Sequence, residues 1–139
     1  HTQEETFRGY TDYETAIADF DGESNTRKVT ESDEFKKSPN DFPAFDHVNE
    51  FSTDGTNKGD WYIMSPGQWR SLILRKMGLY NASVQLTGIG DMLRGWYWAS
   101  AEGSQTLAWL CSTYFAYVTT TNYKWNSGYV RPSLALAAA

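Results

Sequence analysis

The sequence predicts an α+β domain in which short helices lead into a twisted antiparallel sheet, and three observations carry that reading. Apolar residues in the first half recur at helical spacing. A capping signal follows a short apolar run at Trp61–Met64. From Trp96 onward the chain is rich in Trp, Tyr, Thr and Val, the residues that favour strands. A run of helices followed by a run of strands is the α+β pattern rather than the alternating one of a parallel sheet.

Taken in order, Asp12 is placed to cap a short helix in which Tyr13, Ile17 and Phe20 share a face, and Asp21-Gly22 ends it. Residues 23–37 are charged and weakly periodic and read as a loop with one helical turn. Pro43 at a first helical position, followed by Phe45, Val48 and Phe51, predicts a second helix, closed by Ser52-Thr53-Asp54-Gly55. The run Gly55–Asp60 is a turn. Trp61-Tyr62-Ile63-Met64 is a strand, and Ser65-Pro66-Gly67-Gln68 opens a helix with capping-box spacing. That helix buries Trp69, Leu72 and Ile73 and stops at Gly78. Residues 79–93 give no assignable element. Strands are expected over 96–101, 107–113, 114–120 and 129–136.

The 139 residues suit one domain over 1–136, and Ala137-Ala138-Ala139 looks like a vector-derived tail. A formal net charge of −5 is unevenly placed: residues 1–60 hold fifteen Asp/Glu against six Lys/Arg, whereas 61–139 hold two against six. Six scattered cations make no phosphate-binding stripe, so no nucleic-acid partner is expected. No apolar run is long enough to insert in a membrane. The single cysteine, Cys111, excludes an internal disulfide and a cysteine-built zinc cage, and its neutral neighbours suit a packed thiol. The chain begins at His1 without Met, which allows for an upstream segment.

Between Gly103 and Val130 the only formal charge is Lys124; the rest is Thr, Ser, Tyr, Asn, Gly, Trp and small apolar residues. Recognition loops accumulate such residues because Tyr and Trp give rigid contact area while Ser and Asn adapt their hydrogen bonds. The competing reading is β-rich core. If Trp109 faces inward, strand alternation puts Leu110, Ser112 and Tyr114 on the opposite, exposed face.

Three ordered blocks, Gly59-Asp60-Trp61-Tyr62 with Ser65 and Trp69, then Tyr97-Trp98-Ala99-Ser100-Ala101-Glu102, then Tyr129-Val130-Arg131-Pro132, resemble a bacterial C-type-lectin-like domain family. Its members carry Gly-Asp-Trp-Tyr-Leu-Pro-Ser, Tyr-Trp-Ser-Ser-x-Glu and Tyr-Val-Arg-Pro blocks; here Ile63-Met64 replaces Leu-Pro. The resemblance spans residues 12–136. It implies a C-type-lectin-like fold with adjacent termini, a closing strand paired near the start of the domain, and an exposed ligand face between Glu102 and Tyr129.

Some members of that family are variable targets of diversity-generating retroelements, in which template adenines are randomised. Randomised AAY codons yield Ser, Thr, Tyr, Leu and Asn but never Trp, Lys or Gln, so the filter admits most of the segment and excludes Gln105, Trp109, Lys124 and Trp125. The resemblance thus implies a non-enzymatic receptor or adhesin module on a bacterial cell surface or phage particle. Its ligand-binding residues would be Ser104, Thr106, Leu107, Leu110, Ser112, Tyr114, Tyr117, Thr119, Thr121, Tyr123, Trp125 and Asn126. The four aromatic residues of that set are the expected anchors, for a protein or a glycan ligand. A subunit of a surface fibre or pilus is the alternative.

No cofactor or metal is expected. The Glu-Pro-Asn of calcium-dependent lectins is missing, and Trp125-Asn126-Ser127 lacks the carboxylate that would close such a site. The cysteine pair of the related sulfatase-modifying oxidases is missing too. Asp19/Asp21 and Asp33/Glu34 read as solvated carboxylates and His47 as a surface histidine, so no catalytic residue is assigned. Arg131 is expected to be buried against Glu102 or Asp60, since a desolvated guanidinium needs a carboxylate or carbonyls.

Overall fold

A computed structural model describes residues 7–73, 95–112 and 117–134 of the chain. Its element order is α1 (Tyr13–Ile17), α2 (Gly22–Thr30), α3 (Asp33–Lys37), a 3₁₀ turn (Pro39–Asp41), α4 (Pro43–Glu50) and β1 (Trp61–Ile63). A helix over 66–73, α5, follows. The remaining elements are β2 (Trp96–Glu102), β3 (Leu107–Ser112), β4 (Tyr117–Tyr123) and β5 (Pro132–Leu134). The domain is α+β.

The local signals explain most of these elements. Asp12 caps α1 by accepting from the Thr15 N–H at 2.8 Å. Pro43 stands in the first turn of α4, which buries Phe45 and Val48. At α5 the capping box closes in both directions: Gln68 N–H donates to Ser65 Oγ at 3.3 Å and Ser65 N–H to Gln68 Oε1 at 2.9 Å. The expected stop at Gly78 and the unassigned residues 79–93 lie outside the described residues.

Two expectations need correction. Residues 23–37 are not a loop but α2 and α3, capped by Asp21 and Ser32. The inward face of α2 carries Asn25, Thr26 and Thr30 beside Val29, so its periodicity is one of polar groups satisfied inside and not of hydrophobicity. Thr26 Oγ1, for instance, accepts from the Ile63 N–H at 3.0 Å and fixes α2 on β1. In α1, Tyr13 is exposed, as is Phe20 beyond it, and Ala16 is the residue buried.

Strands β2, β3 and β4 form an antiparallel sheet in that order, while β1 pairs with β5 in a separate two-stranded sheet. The closing strand thus pairs in mid-chain with Trp61–Ile63, and it is Gly9 that bridges to Glu102 at the start of the described chain. The three-stranded sheet is covered on both faces. Trp98, Ala108 and Leu110 pack against Val29, Phe35, Phe42, Phe45, Val48 and Ile63. Tyr97, Ala99, Ala101, Trp109, Cys111 and Val118 pack on the other side against Ala16, Trp69 and Ile73. Indole N–H groups tie the second layer down: Trp69 Nε1 donates to Trp98 O at 3.3 Å and Trp109 Nε1 to Tyr10 O at 3.1 Å.

This double covering overturns the expectation that one face of β3 is open. Leu110, 2% exposed, and Ser112, also buried, are interior residues and not ligand contacts. An antiparallel sheet often leaves one face in water, but the continuous apolar run Ala108-Trp109-Leu110-Cys111 is what a strand buried on both sides requires.

Candidate ligand face

The surviving candidate residues gather at one end of the sheet, where β3 begins and β4 ends. Leu107 pairs with Tyr123, and the Lys124 N–H donates to Thr106 O at 2.9 Å, so the turn before β3 lies beside the loop after β4. Ser104 is exposed, but its hydroxyl accepts from the Thr106 and Leu107 N–H groups at 3.1 and 3.0 Å and holds that turn. Thr106 and Leu107 are half-buried and Asn126 is exposed.

Lys124 points the opposite way from its neighbours. Its side chain runs inward, 3% exposed, and its ammonium pairs with the Glu102 carboxylate. β4 ends at Tyr123, and in the turn that follows, the side chains of Tyr123 and Trp125 face outward on either side of the inward Lys124. Both are exposed, 48% and 57%, and their rings stack at a centroid distance of 4.7 Å with planes 7° apart. The chain turns back immediately, Asn126 N–H donating to Tyr123 O at 3.0 Å. Gly128 then passes flat over Trp96: a Cβ there would stand 2.2 Å from the indole, so only glycine lets the backbone approach so closely. Tyr129 returns to the sheet edge through its N–H to Trp96 O and its carbonyl to the Trp98 N–H, both 3.0 Å.

Between this loop and the start of α4 lies a groove of about 290 Å³, with Pro43 and Ala44 on one wall, Trp125, Asn126 and Ser127 on the other, and Trp98 and Val130 in its floor. Every lining residue except Lys124 is uncharged, and Lys124 spends its charge on Glu102. The lining combines apolar residues (Pro43, Ala44, Trp98, Val130), one exposed aromatic ring (Trp125) and the polar side chains of Asn126 and Ser127.

The other predicted positions do not join it. Thr119 pairs with Leu110 in the middle of β4 and is half-buried. Tyr117 and Thr121 are placed in β4 by the backbone alone, and Tyr117, opposite Ser112, is five residue pairs from the Leu107–Tyr123 end, about 17 Å along the strand. Tyr114 lies outside the described residues. Pro43, Ala44, Trp98 and Val130 line the groove, and sequence reasoning gives no sign of it.

Glu102 corrects the expectation for Arg131. Its partner is Lys124, Asp60 accepts from the Asn57 N–H, and Arg131 is only half-buried. Elsewhere, Cys111 is fully buried and burial pushes its thiol up to about 12, which leaves little thiolate near neutrality. Asp19, expected to be solvated, accepts from Tyr10 OH at 2.8 Å and Asn25 Nδ2 at 2.7 Å and is a structural junction. His47 is exposed on α4. Among the described residues no group of three His, Cys, Asp or Glu side chains is placed to hold a metal ion, and no helix is long and apolar enough to cross a membrane.

Compared with known proteins, the chain matches no family model, no curated protein sequence and no solved structure.

Proposed function

We propose that this chain is a non-enzymatic ligand-binding module, a receptor or adhesin, whose contact surface is the sheet end built from residues 103–107 and 123–128. The observation that carries the reading is the stacked, outward-facing Tyr123–Trp125 pair beside an uncharged groove. Large aromatic rings in water at the mouth of a concave surface are costly to leave uncovered and are the residues that dominate binding energy in interfaces. The ligand is a protein or a glycan. The resemblance of the Gly-Asp-Trp-Tyr, Tyr-Trp-Ala-Ser and Tyr-Val-Arg-Pro blocks to C-type-lectin-like domains supports display on a bacterial surface or phage particle, with the face diversified by a retroelement.

Two experiments test this. Copies of the gene from sibling strains should differ within residues 103–127, at outward positions, with a reverse-transcriptase gene and a near-copy template alongside; uniform copies and no template remove the retroelement part. Glycan-array and displayed-protein screens with the native chain and with Trp125→Ala should show binding by the former alone. Binding undiminished by Trp125→Ala would place the ligand surface elsewhere.

The assembly-subunit reading draws on Tyr13 and Phe20, large exposed aromatic residues that do not line the groove. Solution mass separates the two, since a fibre subunit associates as concentration rises and a receptor module stays monomeric.

A further inference from the structure

We propose that Glu102 and Lys124 are positioning residues for the ligand face, and that the Glu102 carboxylate joins the docking of the Phe7–Tyr10 segment to the seating of the aromatic loop as one cooperative event. The inference takes its functional meaning from the ligand-face reading above, but its geometry stands independently of any ligand.

The carboxylate is buried, 5% exposed, and it is divided between two clients. Oε1 accepts from the Phe7 N–H and from the Arg8 N–H, the latter at 3.3 Å, while Oε2 accepts from the Lys124 ammonium. The backbone of Glu102 completes the first attachment: its N–H donates to Arg8 O at 2.7 Å and its carbonyl accepts from the Tyr10 N–H at 2.8 Å. The second attachment sets the loop, because Lys124 stands inside the turn Tyr123–Asn126, and burying its side chain fixes the turn that holds both rings in solvent.

The two attachments are not energetically separate. Removing one partner of a buried ion pair leaves the other charge uncompensated in an apolar setting, where each remaining hydrogen bond matters more. If the Phe7 and Arg8 amides leave, the carboxylate has lost donors that offset its desolvation and holds Lys124 in a less stable pair. If Lys124 leaves, the amides alone face a buried anion. Phe7 also packs on the residue that leads into the α4 side of the groove. Its ring packs edge-on against Phe42, centroids 5.9 Å apart and planes at 71°, and Phe42 is the residue before Pro43 and Ala44. The Phe7–Tyr10 segment is thus linked through Glu102 to Lys124 in the loop that carries Trp125, and through Phe42 to the residue before Pro43, so a change in how it is held reaches Trp125.

Amide hydrogen exchange on the full chain tests this, with near-ultraviolet circular dichroism reporting the stacked pair. Lys124→Met should speed exchange at Phe7, Arg8 and Tyr10, about tenfold or more, and diminish the dichroism of the rings. In the reverse direction, Phe7→Pro, which removes the ring and the N–H, should speed exchange at Lys124 and Asn126 beyond the effect of Phe7→Ala, which removes the ring alone. Effects confined to each mutated end, or equal loop exchange in Phe7→Ala and Phe7→Pro, overturn the proposal. Should Lys124→Met fail to fold, the Phe7 comparison leaves the ion pair in place and decides alone. Because no ligand enters these measurements, independent ends would sink the coupling and leave the ligand face standing. Coupled ends with binding untouched by Trp125→Ala would do the reverse.

Discussion

Gln68 and Gly22 meet across 46 residues of sequence: the Gln68 side-chain oxygen accepts from the Gly22 N–H at 3.1 Å while also accepting from its own capping partner, the Ser65 N–H, at 2.9 Å. One amide side chain thus closes the cap of α5 and anchors the first residue of α2. Replacement by Ala strands two part-buried amide donors and should cost about 1–3 kcal/mol, more than an ordinary cap loss. Gln68→Glu, which retains the acceptor, should recover part of that in urea denaturation.

At Gly22 itself, a Cβ would stand 2.4 Å from the Ile63 carbonyl oxygen and 2.7 Å from the Ser65 backbone nitrogen. Gly→Ala within a helix normally stabilises by about 1 kcal/mol. Here the overlap is with backbone that cannot swing aside, so Gly22→Ala should destabilise, and a rise in melting temperature would contradict the packing of α2 on β1.

Trp125→Ala and Leu110→Ala test which side chains of the uncharged stretch are surface. The first removes one half of an exposed ring stack and should cost less than about 1.5 kcal/mol. The second opens a cavity between sheet and helices and should cost about 2–5 kcal/mol. Equal losses by chemical denaturation would show that the aromatic pair belongs to the interior.

Alkaline pH should weaken the fold through Tyr10 and Cys111. Burial, followed by the hydrogen bond to Asp19 and the charge of that carboxylate, raises the Tyr10 hydroxyl from 10.0 to about 12. Burial alone raises the Cys111 thiol from 9.0 to about 12. For a group raised in the folded state, the protonated form is the one folding favours. The stabilisation is complete below the unfolded value and is lost as pH climbs from there through the folded value. Unfolding midpoints should therefore fall between about pH 9 and 12, and Tyr10→Phe with Cys111→Ala should flatten that decline.

The elements that could be read in the sequence are those whose signal is local. The Ser65/Gln68 box, Pro43 in a first turn and the aromatic strands after Trp96 each depend on residues within one turn or one strand. Helix α2 is illegible because its inward face is held by hydrogen bonds to distant partners, such as Thr26 to Ile63 and Asn25 to Ser100, and no periodicity of apolar residues announces them. The candidate face was half legible. Tyr123, Trp125 and Asn126 are exposed, as their residue types suggest, whereas Leu110 and Ser112 are interior because the covering of the second sheet face depends on helices far away in sequence. Lys124 carried a readable clue: a lone cation between two aromatic residues, with Glu102 one of only two acidic residues after position 60.

A sheet walled in on both sides has little tolerance along its length. Substituting freely in mid-strand, at Leu110 for instance, would mostly yield chains that cannot fold, while outward side chains where the strands end, such as Trp125 and Asn126, can change at little risk. Freedom to vary in this architecture is therefore confined to a rim, a handful of outward positions where the strands end.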